Sequence, residues 1–293
     1  MRCIGIIGAM EVEVEKLKAR MENVEITRKA SMEFYAGTLE GKNVVVVRSG
    51  IGKVNAAVCT QILIDDFDAE VVINTGIAGS LNADINIGDL VISTDLVHHD
   101  MNAVAFGYPV GQIPQMETFS FKSDEALRKL AVQACRDVNP DIEVFEGRIA
   151  SGDQFVADQG VKDEIVKQFD AYAVEMEGAA IAQAAYLNNV PFLVVRAISD
   201  KADGSAEVDY PTFEAMAVEQ SIDFDWVMPM KMPSKTNADM PAKGMSTAHP
   251  RYSPDAATTR SSLVSKARKF SPPIIYNKVK RMATTTPNPI VRL

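Results

Sequence analysis

Short runs of apolar, mostly β-branched residues recur at positions 3–9, 44–49, 71–75, 90–97, 148–151, 173–176 and 192–199, and they read as continuous runs rather than apolar–polar alternation. A strand with one wet face alternates, so uninterrupted runs fit strands buried on both faces. Between them, residues 12–21, 54–67, 124–138, 177–187 and 213–220 show helical apolar spacing. Strand followed by helix, repeated, predicts an α/β fold with a mostly parallel central sheet. In such sheets ligands bind where strands end and loops begin. The residues at those places are polar and glycine-rich: Gly8-Ala9-Met10-Glu11-Val12-Glu13, Ser49-Gly50-Ile51-Gly52-Lys53, Asn74-Thr75-Gly76-Ile77-Ala78-Gly79, Ser151-Gly152-Asp153-Gln154-Phe155, Glu175-Met176-Glu177-Gly178 and Arg196-Ala197-Ile198-Ser199-Asp200.

With 293 residues, 47% of them hydrophobic, the chain has material for one large or two ordinary domains. Its net charge of −9 conceals a division: residues 1–221 hold 18 Lys and Arg against 35 Asp and Glu, whereas residues 222–293 hold 12 against 4. Nine of the 14 prolines and one of the 17 glycines fall in that second part. This predicts a catalytic domain over residues 1–224 and a basic, proline-rich, disordered tail over 225–293. An acidic body argues against nucleic acid, whose affinity rests on cations at phosphates. The absence of a membrane-length apolar run and of a signal-peptide pattern predicts a cytoplasmic protein with no membrane partner. Cys3, Cys59 and Cys135 are odd in number and far apart, as suits reduced, buried thiols.

Gly5 and Gly8 fall short of a dinucleotide loop, and Glu11 and Glu13 put negative charge where a phosphate wants a positive helix start. Locally, Glu13 is either a partner of the helix macrodipole or a carboxylate that faces a cleft and polarises water. Glu175 and Glu177 share one face while the chain stays extended, and diverge if Glu177 opens the next helix. Asp200 ends the most apolar run, where it is either a general acid or the salt-bridge partner of Arg196 or Lys201. His98-His99-Asp100 invites a metal reading, but only His249 is left to join them, so no metal site is expected. Phe106, Tyr108, Phe155 and Tyr210 lie beside the polar motifs, as packing groups or as platforms for a heterocyclic base.

Taken together, these motifs resemble the nucleoside phosphorylase/hydrolase family, most closely its 5′-methylthioadenosine/S-adenosylhomocysteine nucleosidase branch. The resemblance rests on residues 4–13, Ser49-Gly50-Ile51-Gly52-Lys53-Val54, Asn74-Thr75-Gly76, Ala78-Gly79, His99-Asp100, Ala105-Phe106-Gly107-Tyr108, Ser151-Gly152-Asp153, Val174-Glu175-Met176-Glu177 and Val195-Arg196-Ala197-Ile198-Ser199-Asp200. It implies a single three-layer αβα domain around a twisted mixed sheet, without a cofactor, acting as a homodimer on adenine nucleosides in methionine salvage. The reaction implied is hydrolysis of the N-glycosidic bond, with release of adenine and a thioribose. Carried over by position, Asp200 would protonate N7 of the leaving adenine, Glu13 would activate water and Glu177 would bind the ribose hydroxyls. Phe155 and Val156 would contact adenine, Met176 would lie under the ribose, and Met10 and Ile51 would line the alkylthio pocket. Phe106 would reach a neighbouring subunit's site, Tyr210 would supply a pocket aromatic, and Glu175, Ser199 and Ile77 complete the substrate-binding set. Ile77 stands where some members carry a small hydroxyl residue.

Two rival readings remain at this level. A phosphorylase of the same family would want cations at the first loop, which holds Glu11 and Glu13 instead. A storage-type, non-catalytic member would be expected to have lost acids, and Glu13, Glu177 and Asp200 are all present. The tail's Lys266, Arg268, Lys269, Lys278, Lys280 and Arg281 offer a basic segment, read here as a solvated extension. Truncation after Lys235 is therefore expected to leave nucleosidase turnover at its full-length value, measured as adenine release. A loss of turnover would give the tail a catalytic role.

Overall fold

The structure, a computed structural model, describes residues 3–138 and 140–201, all within one compact unit. Among the described residues there are ten strands: β1 (Cys3–Gly8), β2 (Glu22–Lys29), β3 (Met32–Leu39), β4 (Lys42–Arg48), β5 (Ala69–Ser80), β6 (Leu90–His98), β7 (Phe121–Lys122), β8 (Val144–Ser151), β9 (Ala173–Glu175) and β10 (Phe192–Asp200). The helices are α1 (Glu15–Arg20), α2 (Lys53–Phe67), α3 (Glu125–Val138), α4 (Gln159–Phe169) and α5 (Gly178–Leu187). Tyr210, the expected helix at 213–220 and the boundary near residue 224 lie outside the described residues.

The sheet is mixed. Strands β1–β4, β1–β5, β5–β10, β6–β8 and β8–β9 pair parallel, while β2–β3, β3–β4, β5–β9, β6–β7 and β6–β10 pair antiparallel. Five strands close on themselves, in the order β5, β10, β6, β8, β9 and back to β5, and β1, β4, β3 and β2 extend from β5. The mostly parallel sheet expected from the strand–helix alternation is thus corrected to an even balance. The hairpin of β2 and β3 escaped that expectation for two reasons: β2 is exposed along its whole length, and its turn is made by Ala30 (φ 50°) and Ser31 (φ 62°). Such a turn ordinarily announces itself with Asn or Gly.

Burial on both faces explains the uninterrupted apolar runs. Ile7, Val45, Val47, Val72, Phe192 and Val194 join one core with Cys59, Leu63, Ile181 and Ala185 of α2 and α5. Their strand neighbours Ile4, Ile6, Val44, Val46, Val71, Ile73, Leu193 and Val195 join a second core with Leu17 of α1 and Leu127, Ala131 and Cys135 of α3. Helices therefore cover both faces, giving the three layers. The expected helix at 12–21 is corrected: it splits into a 3₁₀ turn over Glu11–Glu13 and the short α1, with Val14 (φ −130°, ψ −13°) between them. The glycine-rich residues 76–79, expected as loop, continue the run at 71–75 as the second half of the long strand β5, while the run at 192–199 is β10, which Asp200 ends as expected. Helix α4 also escaped notice, because its inward stripe of Lys162, Ile165 and Phe169 begins on a charged residue. Among the described residues, no helix is long and apolar enough to cross a membrane.

Candidate active site

At the centre of the polar strand ends lies Arg196, 1% exposed on β10. Its Nη2 donates to Glu175 Oε2 at 2.6 Å and to the side-chain oxygen of Asn74, and its Nη1 donates to the carbonyl of Val195 at 3.1 Å. Asn74 is fixed in turn by donating Nδ2 to the carbonyl of Ile7 at 2.9 Å. A buried guanidinium must be paired, and here β1, β5, β9 and β10 all contribute to its pairing.

Glu175 is fully engaged by the chain itself. Its Oε1 accepts from the Ser151 hydroxyl, and its Oε2 accepts from Arg196, from the Glu177 N–H at 3.0 Å and from the Gly178 N–H at 2.7 Å. Ser151 Oγ accepts the Ala179 N–H at 2.7 Å. Glu175 and Ser151 thereby satisfy the unpaired first N–H groups of α5. Burial works against its charge, but Arg196 and these donors outweigh it, so the Glu175 carboxyl lies below its ordinary range.

Glu177 behaves oppositely. Strand β9 stops at Glu175, and Glu177 is the residue that opens α5, so the two acids diverge rather than share a face. Glu177 accepts the Gly52 N–H at 2.8 Å. Burial, then the neighbouring charge of Glu175, push its carboxyl up to about 7, against the pull of Arg196. Gly52 is held in place by a knot of three loops. Lys53 Nζ lies 2.6 Å and 2.7 Å from the two oxygens of Asp100, the Asp153 N–H donates to Asp100 at 2.9 Å, and the Lys53 N–H donates to Asp153 at 2.8 Å.

Glu13, 3% exposed, bends back into its own loop. Its Oε2 accepts the Ala9 and Met10 N–H groups at 2.6 Å and 2.9 Å, and its Oε1 accepts the Ile77 N–H at 3.2 Å. Burial raises its pKa above the ordinary value, opposed by the charge of Arg196 and by those N–H groups. A Cβ at Gly76 would fall 2.5 Å from Glu13 Oε1, so a larger residue there would push the carboxylate from its seat.

Asp200 closes the site at the end of β10 and is 7% exposed. Its partner is neither Arg196 nor Lys201, the two expected, but Lys162 of α4, whose Nζ lies 2.7 Å from Oδ2. The Ser199 hydroxyl lies 3.3 Å from both Asp200 Oδ1 and the carbonyl of Ala78. Beside α4, the loop after β8 carries Phe155, 63% exposed, and the buried Val156, which packs with Ile165 and Phe169. Met176 and Ile77 are half-buried. Met10 and Ile51 line a cavity of about 510 Å³ with Ala9, Ser49, Gly50 and Arg48, and none of Glu13, Glu177 or Asp200 lines it. Phe106 is 83% exposed in a 3₁₀ turn over Val104–Phe106. Among the described residues no cluster of three or more His, Cys, Asp or Glu could hold a metal ion.

The buried carboxylates have a measurable consequence. Because folding lifts Glu177 above its ordinary value, the folded state holds that proton more tightly than the unfolded chain does. Its stabilising contribution is complete below the ordinary glutamate range and is lost as pH rises through about 7. Melting temperatures recorded from about pH 5 to about pH 8 should therefore fall more for the wild type than for Glu177→Gln, by roughly 3 °C. Parallel curves would show that Glu177 is not the group responsible.

A family model described as the phosphorylase superfamily matches residues 3–224. A 5′-methylthioadenosine/S-adenosylhomocysteine nucleosidase of Anoxybacillus flavithermus is 49% identical over 211 residues, covering 72% of this chain and 90% of its own. The solved structure of the Neisseria meningitidis nucleosidase in complex with methylthio-immucillin-A is 43% identical with a TM-score of 0.72, over 75% of this chain and 95% of that one. The Colwellia psychrerythraea nucleosidase, solved in complex with adenine, is 38% identical with a TM-score of 0.72, over 77% and 93% of the two chains. The chain therefore belongs to the phosphorylase superfamily, in its branch of 5′-methylthioadenosine/S-adenosylhomocysteine nucleosidases.

Proposed function

We propose that this protein hydrolyses the N-glycosidic bond of 5′-methylthioadenosine and S-adenosylhomocysteine to give adenine and the corresponding thioribose. The observation that carries the choice of hydrolysis over phosphorolysis is the seat of Glu13. The N–H groups of Ala9, Met10 and Ile77 that could hold an incoming anion are already taken by the chain's own carboxylate. Arg196, the buried cation nearest to it, is committed to Glu175. A phosphate dianion would meet a carboxylate where it needs donors and cations.

In this reading the C1′–N9 bond lengthens, positive charge builds on the ribosyl ring and negative charge builds on adenine. Glu177 and Glu13 face the cationic side. Fixed carboxylates there stabilise an oxocarbenium-like state with no reorganisation at the moment of reaction. Asp200 gives its proton to N7, so adenine leaves neutral. Water adds to C1′ and its proton passes to Glu13, whose raised pKa suits it to accept one. Glu175 acts as the positioning residue that anchors Arg196 and the first turn of α5, which presents Glu177. Met10 and Ile51 bound the 5′ substituent, and Phe155 and Val156 flank the base. Asp200→Asn and Glu13→Gln are each expected to lower turnover by about 10²–10⁴-fold with the fold retained, and Asp200→Asn should also lower the melting temperature, since it leaves the buried Lys162 ammonium without its carboxylate. Adenine should be released equally with and without phosphate. A ribose-1-phosphate-type product, or wild-type turnover in either variant, would overturn the corresponding assignment.

A homodimer is part of the same proposal. Exposed apolar side chains gather in two segments, Ile51, Val54 and Val58 on one and Val104 and Phe106 on the other, and the Lys53–Asp100 ion pair ties their neighbourhoods together. Apolar surface of this kind suits a second copy of the chain. The three free, buried thiols fit a reducing, cytoplasmic setting. If Phe106 completes a neighbour's site, Phe106→Ala should raise KM and dilution to monomer should lower activity, followed by sedimentation and adenine release on the same samples. A fully active monomer would refute the shared site.

A further inference from the structure

Lys162 is 2% exposed on the inward stripe of α4, beside Ile165 and Phe169. Core positions of a helix ordinarily carry apolar residues, and lysine is among the side chains least often buried. It also stands in the first turn of its helix, where the macrodipole disfavours a cation. Two unfavourable effects thus coincide at one position. The ammonium makes two contacts at its tip: Asp200 Oδ2 at 2.7 Å and the carbonyl of Lys201 at 3.0 Å. Both acceptors belong to the end of β10, where the proposed acid sits. A link between α4 and β10 could be made by any well-packed apolar pair, so a buried ammonium aimed at this carboxyl calls for an electrostatic purpose.

We infer that Lys162 is a positioning residue for adenine departure, acting through Asp200: its ammonium fixes Oδ2, leaves Oδ1 as the oxygen offered to the base, and neutralises the charge left on Asp200 once the proton has gone to the base. The inference rests on the proposed role of Asp200. In the step itself, Asp200, the ion-pair partner of Lys162 at rest, first takes a proton from solvent on Oδ1 as the nucleoside binds; that proton then passes to N7 while the C1′–N9 electron pair goes to the purine. Asp200 becomes a carboxylate, and Lys162 keeps its protons throughout. The charge created on Asp200 thus appears beside a cation already in place, in a site where burial strengthens the attraction. Ser199, whose hydroxyl lies 3.3 Å from Oδ1, helps orient the same oxygen.

The test separates proton donation from everything else by the leaving group. A 4-nitrophenyl 5-thioriboside departs as a stabilised phenolate and needs no proton, whereas adenine does. In Lys162→Met, which keeps the volume and apolar packing of the stripe, the ratio of kcat for 5′-methylthioadenosine to kcat for the nitrophenyl substrate should fall at least about tenfold. KM for 5′-methylthioadenosine should change far less than kcat. Asp200→Asn should lower the same ratio further. If Lys162→Met slows both substrates alike, Lys162 is structural only and the inference is wrong. If Asp200→Asn leaves the ratio at its wild-type value, the assignment of the acid falls, and the role of Lys162 falls with it. Should Lys162→Met not fold, Lys162→Gln, which keeps a donor but not the charge, takes its place in the same comparison, and equal slowing of both substrates again overturns the inference.

Discussion

A single buried guanidinium, Arg196, stands against three buried carboxylates, and much of the site follows from how unequally it serves them. It pairs directly with Glu175 at 2.6 Å, and it reaches Glu13 and Glu177 by charge alone. Glu175 is therefore held ionised, while burial prevails at the other two and lifts them above the ordinary glutamate range. One cation satisfies one acid. Two carboxyls are left buried without a directly paired cation, and it is these two that the proposed reaction sets against the developing ribosyl cation.

The same interaction bears on the shape of the sheet. Glu175 sits on β9, the three-residue strand that closes the ring between β8 and β5. The register on either side is short, with Gly79 and Ser80 of β5 pairing Val174 and Ala173. Side-chain bonds from Glu175 to Arg196 and Ser151 supplement that brief ladder. Closure brings the ends of β5, β9 and β10 together, and with them Ile77, Glu177 and Asp200. The loop knot of Lys53, Asp100 and Asp153 performs a comparable task, setting the Gly52 N–H against Glu177. Its charge balance is visible in Asp100, which burial would raise but which Lys53 holds below the usual carboxylate range.

The two cations buried at the site occupy inward positions, Arg196 on the apolar strand β10 and Lys162 on the buried stripe of the otherwise polar helix α4. Each lies against a carboxylate on a neighbouring element, as the cost of burying charge demands. Arg196 carries a planar, multi-donor group and joins several partners across the sheet. Lys162 carries a compact charge and acts at one point. The difference suits a scaffold role for the first and a local electrostatic role for the second.

Uninterrupted apolar runs were enough to identify the strands of the doubly covered sheet, because burial on both faces leaves no room for polar alternation. The acids near their ends could be singled out by position, since Glu13, Glu177 and Asp200 each lie just past an apolar run, but position alone left open whether each was a helix or salt-bridge partner or a chemical group, and their roles came from the resemblance. What local pattern could not convey was pairing across the chain. The β2–β3 hairpin turns on two non-glycine residues in left-handed conformation, and its exposed strand has no buried face to reveal it. The same-face reading of Glu175 and Glu177 depended on where a strand ends, and that is set by contacts with Ser151 and Arg196, 24 and 21 residues away. Nothing in the sequence singles out Lys162, since it lies among other charges and its partner Asp200 is 38 residues further along. Sequence by itself determined which segments must be buried and which residue types could do the chemistry, because hydrophobic burial is read one residue at a time. Tertiary structure decided which charges meet, because an ion pair exists only when two distant segments are folded against each other.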